Sequence, residues 1–218
     1  MLKNLLTFAL LSLAFPLTGL GEGYKVESIG ALTEPKVPAQ VRDTLDAKGL
    51  RVLDAKGVTV CEIWLRKEIP AASEEVAGAV FSKIGEGTLT GVIHFPANAG
   101  DFRGQGLKAG WYSLRYGLIL QDGNHLGVSP TRDFFVLCPL GEDGDPNRRL
   151  SFEEMMKLSR TASGTGHPSC WSLAPATDEK NLPHIATNEH EHVVIEFNLP
   201  TSGGPIAVGL VVVGKTEG

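Results

Sequence analysis

Hydrophobic and polar positions alternate with a period of two along most of this chain, in short runs separated by Gly, Pro, Asn and Asp. That pattern predicts half-buried strands joined by turns. Tyr24 to Ile29 reads as a first strand. Leu50 to Leu53 and Val58 to Arg66 read as two more around the turn Asp54-Ala55-Lys56-Gly57. Thr88 to Phe95 places Leu89, Ile93 and Phe95 on one face and Thr90 and His94 on the other. Trp111 to Leu120 is the clearest strand. Leu114, Tyr116, Leu118 and Leu120 form one face, with Ser113 and Arg115 on the other, and Asp122-Gly123 is a tight-turn signal just beyond. Arg132 to Leu137 returns as the next strand. A terminal hairpin pairs His190 to Leu199 with Ile206 to Gly214.

Two segments carry a helical signal. Pro38 to Lys48 has Val41 and Leu45 at i, i+4, Pro in the first turn and Gly49 to end it. Phe152 to Arg160 follows Ser151, with Glu154 spaced for a capping box. The segment between, Ser73 to Lys83, is ambiguous. Residues 141–183 break the strand rhythm and read as a long loop-and-helix insertion. Many strands with only short helices (38–48 and 152–160) predict a mainly β, antiparallel β-sandwich or jelly-roll-like single domain over residues 22–218.

The first residues read differently. Lys3, the uncharged apolar run Leu5 to Leu17 and the small residues Gly19 and Gly21 form a Sec-type signal peptide over residues 1–21. No Cys follows the run, so a lipobox is missing and the expected destination is secreted or periplasmic. No later segment is long enough to span a membrane. Removing residues 1–21 takes away one positive charge, Lys3, and no negative one, so the net charge of −5 becomes −6. With no Lys/Arg cluster, nucleic acid and anionic membrane surfaces are poor partners. Of three cysteines, Cys138 and Cys170 flank the same long connection and could pair. The alternative is three buried free thiols.

The stretch with most chemistry is Asn188-Glu189-His190-Glu191-His192-Val193-Val194-Ile195-Glu196. On a strand His190, His192 and Glu196 share one face, while Val193, Ile195 and Phe197 face the core. Same-face Cα atoms lie about 6.6–6.8 Å apart, which lets two imidazoles converge on one ion; Glu196 lies about 13 Å beyond His192. Imidazole with carboxylate suits Zn, Fe, Mn or Cu. The third ligand would be His184, His167, His125 or Glu196, with Cys170 as a soft addition.

His-x-His-x-x-x-Glu followed by Gly203 resembles the core of the first cupin motif, over residues 190–203. That resemblance implies a metal held inside a jelly-roll barrel by the matching residues, and a metal-dependent oxygenase or isomerase. Residues 85–140, with Gly110-Trp111-Tyr112-Ser113 and Asp122-Gly123-Asn124-His125, resemble uncharacterised secreted bacterial β-sandwich proteins, a likeness that implies no activity.

Other constellations carry their own alternatives. Asp122, Asn124, His125 and Asp133 could line a ligand site with Arg132 forking onto a carboxylate, or make local turn bonds. Ser159 to Trp171 holds Ser, His and Cys but no strand–nucleophile–helix elbow, and reads rather as a lid. Trp64, Trp111 and Trp171 are a sugar-stacking platform or core. The leading expectation is an exported, non-catalytic protein that binds an unknown small ligand or an envelope protein. A metal-binding protein using His190 and His192 is the alternative, and a cupin-like enzyme the second alternative.

Overall fold

A computed structural model describes residues 23–121, 129 and 131–214. The strands are β1 (Lys25–Ile29), β2 (Gly49–Leu53), β3 (Thr59–Leu65), β4 (Leu89–Phe95), β5 (Ala99–Gly100), β6 (Gly106–Leu107), β7 (Gly110–Leu118), β8 (Asp133–Pro139), β9 (Ser169–Pro175), β10 (His184–Thr187), β11 (Val193–Thr201) and β12 (Gly204–Val213). Ten of them make one antiparallel sheet in the order β1-β2-β3-β4-β7-β8-β9-β12-β11-β10. The edge strands β1 and β10 lie against each other, so the sheet nearly closes into a barrel. β5 and β6 form a separate small hairpin. No helix among the described residues is long and apolar enough to cross a membrane.

Alternation decides which face is inside. Cys61, Ile63, Ile93, Phe95, Tyr112, Leu114, Tyr116, Phe135, Leu137, Trp171, Leu173, Ile195, Phe197 and Leu210 point into one continuous interior cluster. Val193, Ile195 and Phe197 do take the core face that their parity demands. One end of the barrel is crossed by residues 67–88. Their Ile69, Phe81 and Ile84 join the interior cluster. Buried Asp133 pins this crossing by accepting the N–H groups of Val80 and Phe81, both at 3.0 Å, and the Tyr116 hydroxyl at 2.5 Å.

Several sequence expectations shift. The first helix is one turn, α1 (Ala39–Arg42), not 38–48, with Pro38 as its N-cap. The chain leaves the helix because the Asp46 N–H bonds to the Leu65 carbonyl, recruiting the segment to the sheet. Leu89 falls on the outer face with Trp64 and Val92, not with Ile93 and Phe95. The register jumps between Leu89 and Gly91, so the intervening Thr90 is a bulge that flips the parity. Leu120 is exposed rather than in line with Leu114 to Leu118.

The largest difference lies in 141–183. That stretch is not one insertion: it contains a central strand, β9, which joins β8 to β12, and it is followed directly by β10. Its helix is α2 (Phe152–Ser163), with the Ser151/Glu154 capping box as predicted and Gly164 in the left-handed conformation at its end. All three cysteines are free. Val136 pairs with Cys170, which leaves Cys138 two residues out of register and the two thiols unbonded.

The first part of the stretch is a strap across the outer face of β7. Arg115, fully buried, donates from Nε and Nη2 to the two oxygens of Asp143 at 2.9 and 2.6 Å. Its remaining donors reach the carbonyls of Gly87, Arg148 and Asp145 at 2.9, 2.5 and 3.0 Å. Ser113 donates to the same carboxylate at 2.5 Å. Ser113 and Arg115 thus share the outer face, as their parity predicts. The strap ends at Leu150, where α2 begins.

Candidate functional site

Strand β8 reads Asp133-Phe134-Phe135-Val136-Leu137-Cys138, apolar at nearly every position. Such a run suits a strand covered on both faces. Inside it faces the barrel core. Outside, α2 lays Met155 on Val136 and Cys138. The close approach relies on Gly117 of β7, where a Cβ would stand 2.8 Å from Val136 Cγ2 and 3.0 Å from Met155 Cε. Small Ser159 continues the contact, accepting the Ser169 N–H at 2.8 Å.

The helix has a second apolar stripe beside the packed one. Phe152, Met156 and Arg160 follow one another at i, i+4, i+8; Phe152 and Met156 touch the Val136, Cys138 and Met155 cluster from its side and stay half-buried. They form one wall of a cavity of about 410 Å³. The floor is the outer face of the sheet, with Ile119, Phe134, Val136 and Cys170. The opposite wall is the β5–β6 turn. Asp101, almost fully buried, organises that turn by accepting the N–H groups of Arg103, Gln105 and Cys170 at 3.0, 2.8 and 3.3 Å. Phe102 is thereby folded onto Phe134, Val194 and Val211.

Charge is confined to the mouth. Arg103, Arg160 and His167 line the cavity and are exposed, and among the described residues no Asp or Glu belongs to the lining. Among the described residues neither guanidinium makes a salt bridge. Cys170 is the one thiol in the wall. Burial, reinforced by Asp101, pushes its pKa up to about 12, which keeps it protonated at neutral pH. Ser159 and Ser163 spend their hydroxyls on Ser169, Arg160 and His167 backbone groups. The cavity is therefore a mainly apolar surface with two guanidinium groups at its rim and a protonated thiol in its wall, an arrangement suited to holding a molecule.

Of the residues singled out in sequence, His167 and Cys170 belong to this lining; the His190/His192 pair lies elsewhere. His190 and His192 are not on a strand: β11 starts at Val193, and both belong to the β10–β11 turn. Asn188 builds that turn, its Oδ1 accepting the N–H of His190 and of His192, both at 3.0 Å, while Glu191 takes a positive φ of 60°. The two imidazole rings stand 5.7 Å apart. His192 is buried, edge-on to Phe102 at 5.6 Å and with its Nδ1 3.3 Å from the Asn188 amide; the His190 side chain is 54% exposed. Both line a second, small cavity of about 70 Å³ on the other side of Phe102 from the larger one, and Glu196 lines it too.

Glu196 is committed, however. Its buried carboxylate accepts the Thr177 N–H and hydroxyl, each at 2.9 Å, and the Asp178 N–H at 3.2 Å, and it meets His184 Nε2 at 3.2 Å. It clamps the chain that leaves β9. Sharing a strand face in the sequence, Glu196 and the His pair border one cavity without converging. His167 lines the larger cavity. Among the described residues no three His, Cys, Asp or Glu side chains are grouped to hold a metal. His125, with Asp122 and Asn124, lies outside the described residues, as does the segment 1–21.

Among the described residues Arg132 forks onto backbone: Nε and Nη2 donate to the Ile119 carbonyl at 3.1 and 2.9 Å, and Nη1 to Ala77 O at 2.8 Å. The tryptophans do not form a platform. Trp171 is core, and Trp64 donates its indole N–H to Gly30 O and tilts against Trp111, on which His94 stacks at 4.2 Å. Phe102, Arg103, Phe134, Met156 and Arg160 went unmarked in the sequence. The available signal was the width of the apolar face on α2, two stripes where packing needs one. Comparison with protein-family models, curated proteins and solved structures returns no match.

Proposed function

We propose that this chain is an exported, non-catalytic binding protein that takes a small apolar molecule into the outer-face cavity between α2 and the β5–β6 turn. The observation that carries this reading is the cavity itself. At about 410 Å³ it falls within the roughly 300–1,000 Å³ of small-molecule sites. Its walls come from separate elements held by buried polar groups, so it is preformed. The apolar N-terminal run supports export.

The test is a fluorescence titration with N-phenyl-1-naphthylamine, a neutral apolar probe. Binding is expected to saturate at one probe per chain. Met156→Trp, which fills the cavity from the helix side, should weaken it strongly without lowering the melting temperature. Non-saturating binding, or binding indifferent to Met156→Trp, overturns the reading. Recovery of the protein outside the cytoplasm without residues 1–21, by mass spectrometry, tests export.

The proximity of the His190 and His192 rings favours one second reading, a weak divalent-metal site completed by water. Metal content of untagged protein that does not change in a His190→Ala/His192→Ala double variant rules it out.

A further inference from the structure

We propose that the ligand of the outer-face cavity is an anionic amphiphile: an apolar body ending in an oxyacid head, carboxylate or phosphate, held at the mouth by Arg103 and Arg160. This inference rests on the binding reading above and adds the substrate class. It comes from the separation of chemistry within one cavity. The floor and walls, from Phe134 and Val136 to Met156 and Phe102, are built mainly of apolar side chains. Among the described residues the charged side chains of the lining are two guanidinium groups, both at the exposed rim. A protein of net charge −5 has acidic residues to spare, yet none of the described ones lines this cavity.

The other arginines spend their donors within the protein, some on backbone carbonyls, as Arg66 and Arg149 do, and three on carboxylates. Arg115 pairs with Asp143, Arg51 with Glu62 at 2.7 Å, and Arg148 with Glu154. Arg103 and Arg160 have no ion pair among the described residues, so their donors remain for a ligand. The guanidinium fork matches an oxyacid head in plane and spacing. Arg160 stands in the last turn of α2, whose C-terminus carries roughly half a negative charge. Two full positive charges outweigh it. Length also fits the geometry. A ligand whose head is at the rim must bury its remainder, and the second stripe of α2, Phe152 and Met156 below Arg160, is a continuous apolar track for a chain. A neutral hydrocarbon would use the track and leave both guanidinium groups idle.

The test compares decanoate, monodecyl phosphate and decanol, each below its micellar concentration, as competitors of N-phenyl-1-naphthylamine at neutral pH. At least one acid should displace the probe about tenfold more tightly than decanol, since two partly exposed charge contacts each contribute a few-fold. The better acid names the head. The preference should shrink as salt is raised through the range where the screening length falls below about 10 Å. In an Arg103→Gln/Arg160→Gln variant the ratio of acid to alcohol affinity should fall to one, with the melting temperature unchanged because both side chains are exposed. Decanol binding as tightly as both acids, or a preference that survives the double substitution or high salt, overturns the anionic class while leaving the binding reading intact. Displacement by none of the three, with the probe itself unbound, overturns both.

Discussion

Asp143→Ala removes the partner of a guanidinium that water cannot reach. Arg115 is 0% exposed, and Asp143 supplies two of its five hydrogen bonds and all of its counter-charge among the described residues. The three carbonyls that remain hold the donors but not the charge. Breaking one side of a buried pair costs about 3–5 kcal/mol. At about 2–4 °C per kcal/mol for a domain of this size, the melting temperature should fall by about 6–20 °C. Ser113 also loses its shorter hydrogen bond and keeps the Cys138 carbonyl at 3.4 Å. Thermal and urea unfolding give the single value. The double variant Arg115→Met/Asp143→Leu supplies the control, because replacing both charges by apolar groups of similar volume is often neutral. It should be more stable than Asp143→Ala alone. The strap carrying Asp143 leads through Leu150 into α2, so hydrogen exchange in 152–163 should speed up in Asp143→Ala more than in β11. A loss under about 1 kcal/mol, or a double variant worse than the single, would show that the pair is solvated and that the strap is held by other contacts.

Gly87→Ala should be among the most damaging small changes in the molecule: φ is +79° and the new Cβ would lie 1.8 Å from the Leu150 carbonyl oxygen. The loss should exceed the about 1–3 kcal/mol of a strained residue alone, and stability comparable to wild type in urea unfolding would refute the close approach. Ser151→Ala removes the α2 cap and should cost about 0.5–2 kcal/mol, seen as a melting shift with no change in secondary structure at room temperature. Glu154 is held below the usual carboxylate range by the Ser151 N–H and hydroxyl, with Arg148 adding to it. A lowered folded pKa stabilises the fold above the unfolded pKa and loses that contribution as pH falls through the folded one. The advantage of wild type over Glu154→Gln should therefore be complete at neutral pH and vanish in acid; an advantage that persists in acid refutes it. Burial pushes Cys138 and Cys170 up to about 12 and Cys61 above its ordinary range. Native protein should resist a thiol reagent at neutral pH and unfolded protein should yield three equivalents; one equivalent would reveal a Cys138–Cys170 disulfide.

What the sequence disclosed, it disclosed locally. The capping box at Ser151 and Glu154 and the core parity of Val193, Ile195 and Phe197 depend on neighbours within a few residues. Where a distant partner decides, the pattern misled. Strand β9 hides because Ser169, Cys170 and Ser172 are small or polar; only Trp171 and Leu173 mark its inner face, and β8 and β12 on either side make it a strand. Leu89 changed faces through a one-residue bulge at Thr90, which leaves no mark in an apolar alternation. The β10–β11 turn contains no Gly or Pro. Asn188 replaces them by capturing two N–H groups with its side chain, so His190 and His192 read as strand and are turn. The cavity residues escaped because a site of this kind has no spacing rule: Phe102, Phe134 and Met156 meet only in three dimensions.

The barrel's own filling explains why the site is outside. Ten strands enclose more room than the eight that side chains fill comfortably, and barrels of that size often keep an interior ligand cavity. Here Phe95, Tyr112, Tyr116, Phe135, Trp171 and Phe197 occupy the interior, and Phe81 and Ile84 seal one end. Tyr116 is tied to Asp133, so the ring most able to swing aside is fixed. The cavity of about 410 Å³ lies instead on the outer wall. There α2 covers the Cys138 end of β8 but not the Phe134 end, because Gly117 lets the helix approach at Met155 and the β5–β6 turn, pinned by Asp101, holds Phe102 over the far side. The cavity is the gap between these two covers. Adding a side chain at Gly117 would push α2 away from Val136 and widen that gap. Gly117→Ala is therefore expected to lose stability while admitting bulkier probes, a combination that a purely structural gap-filler at this position would not produce.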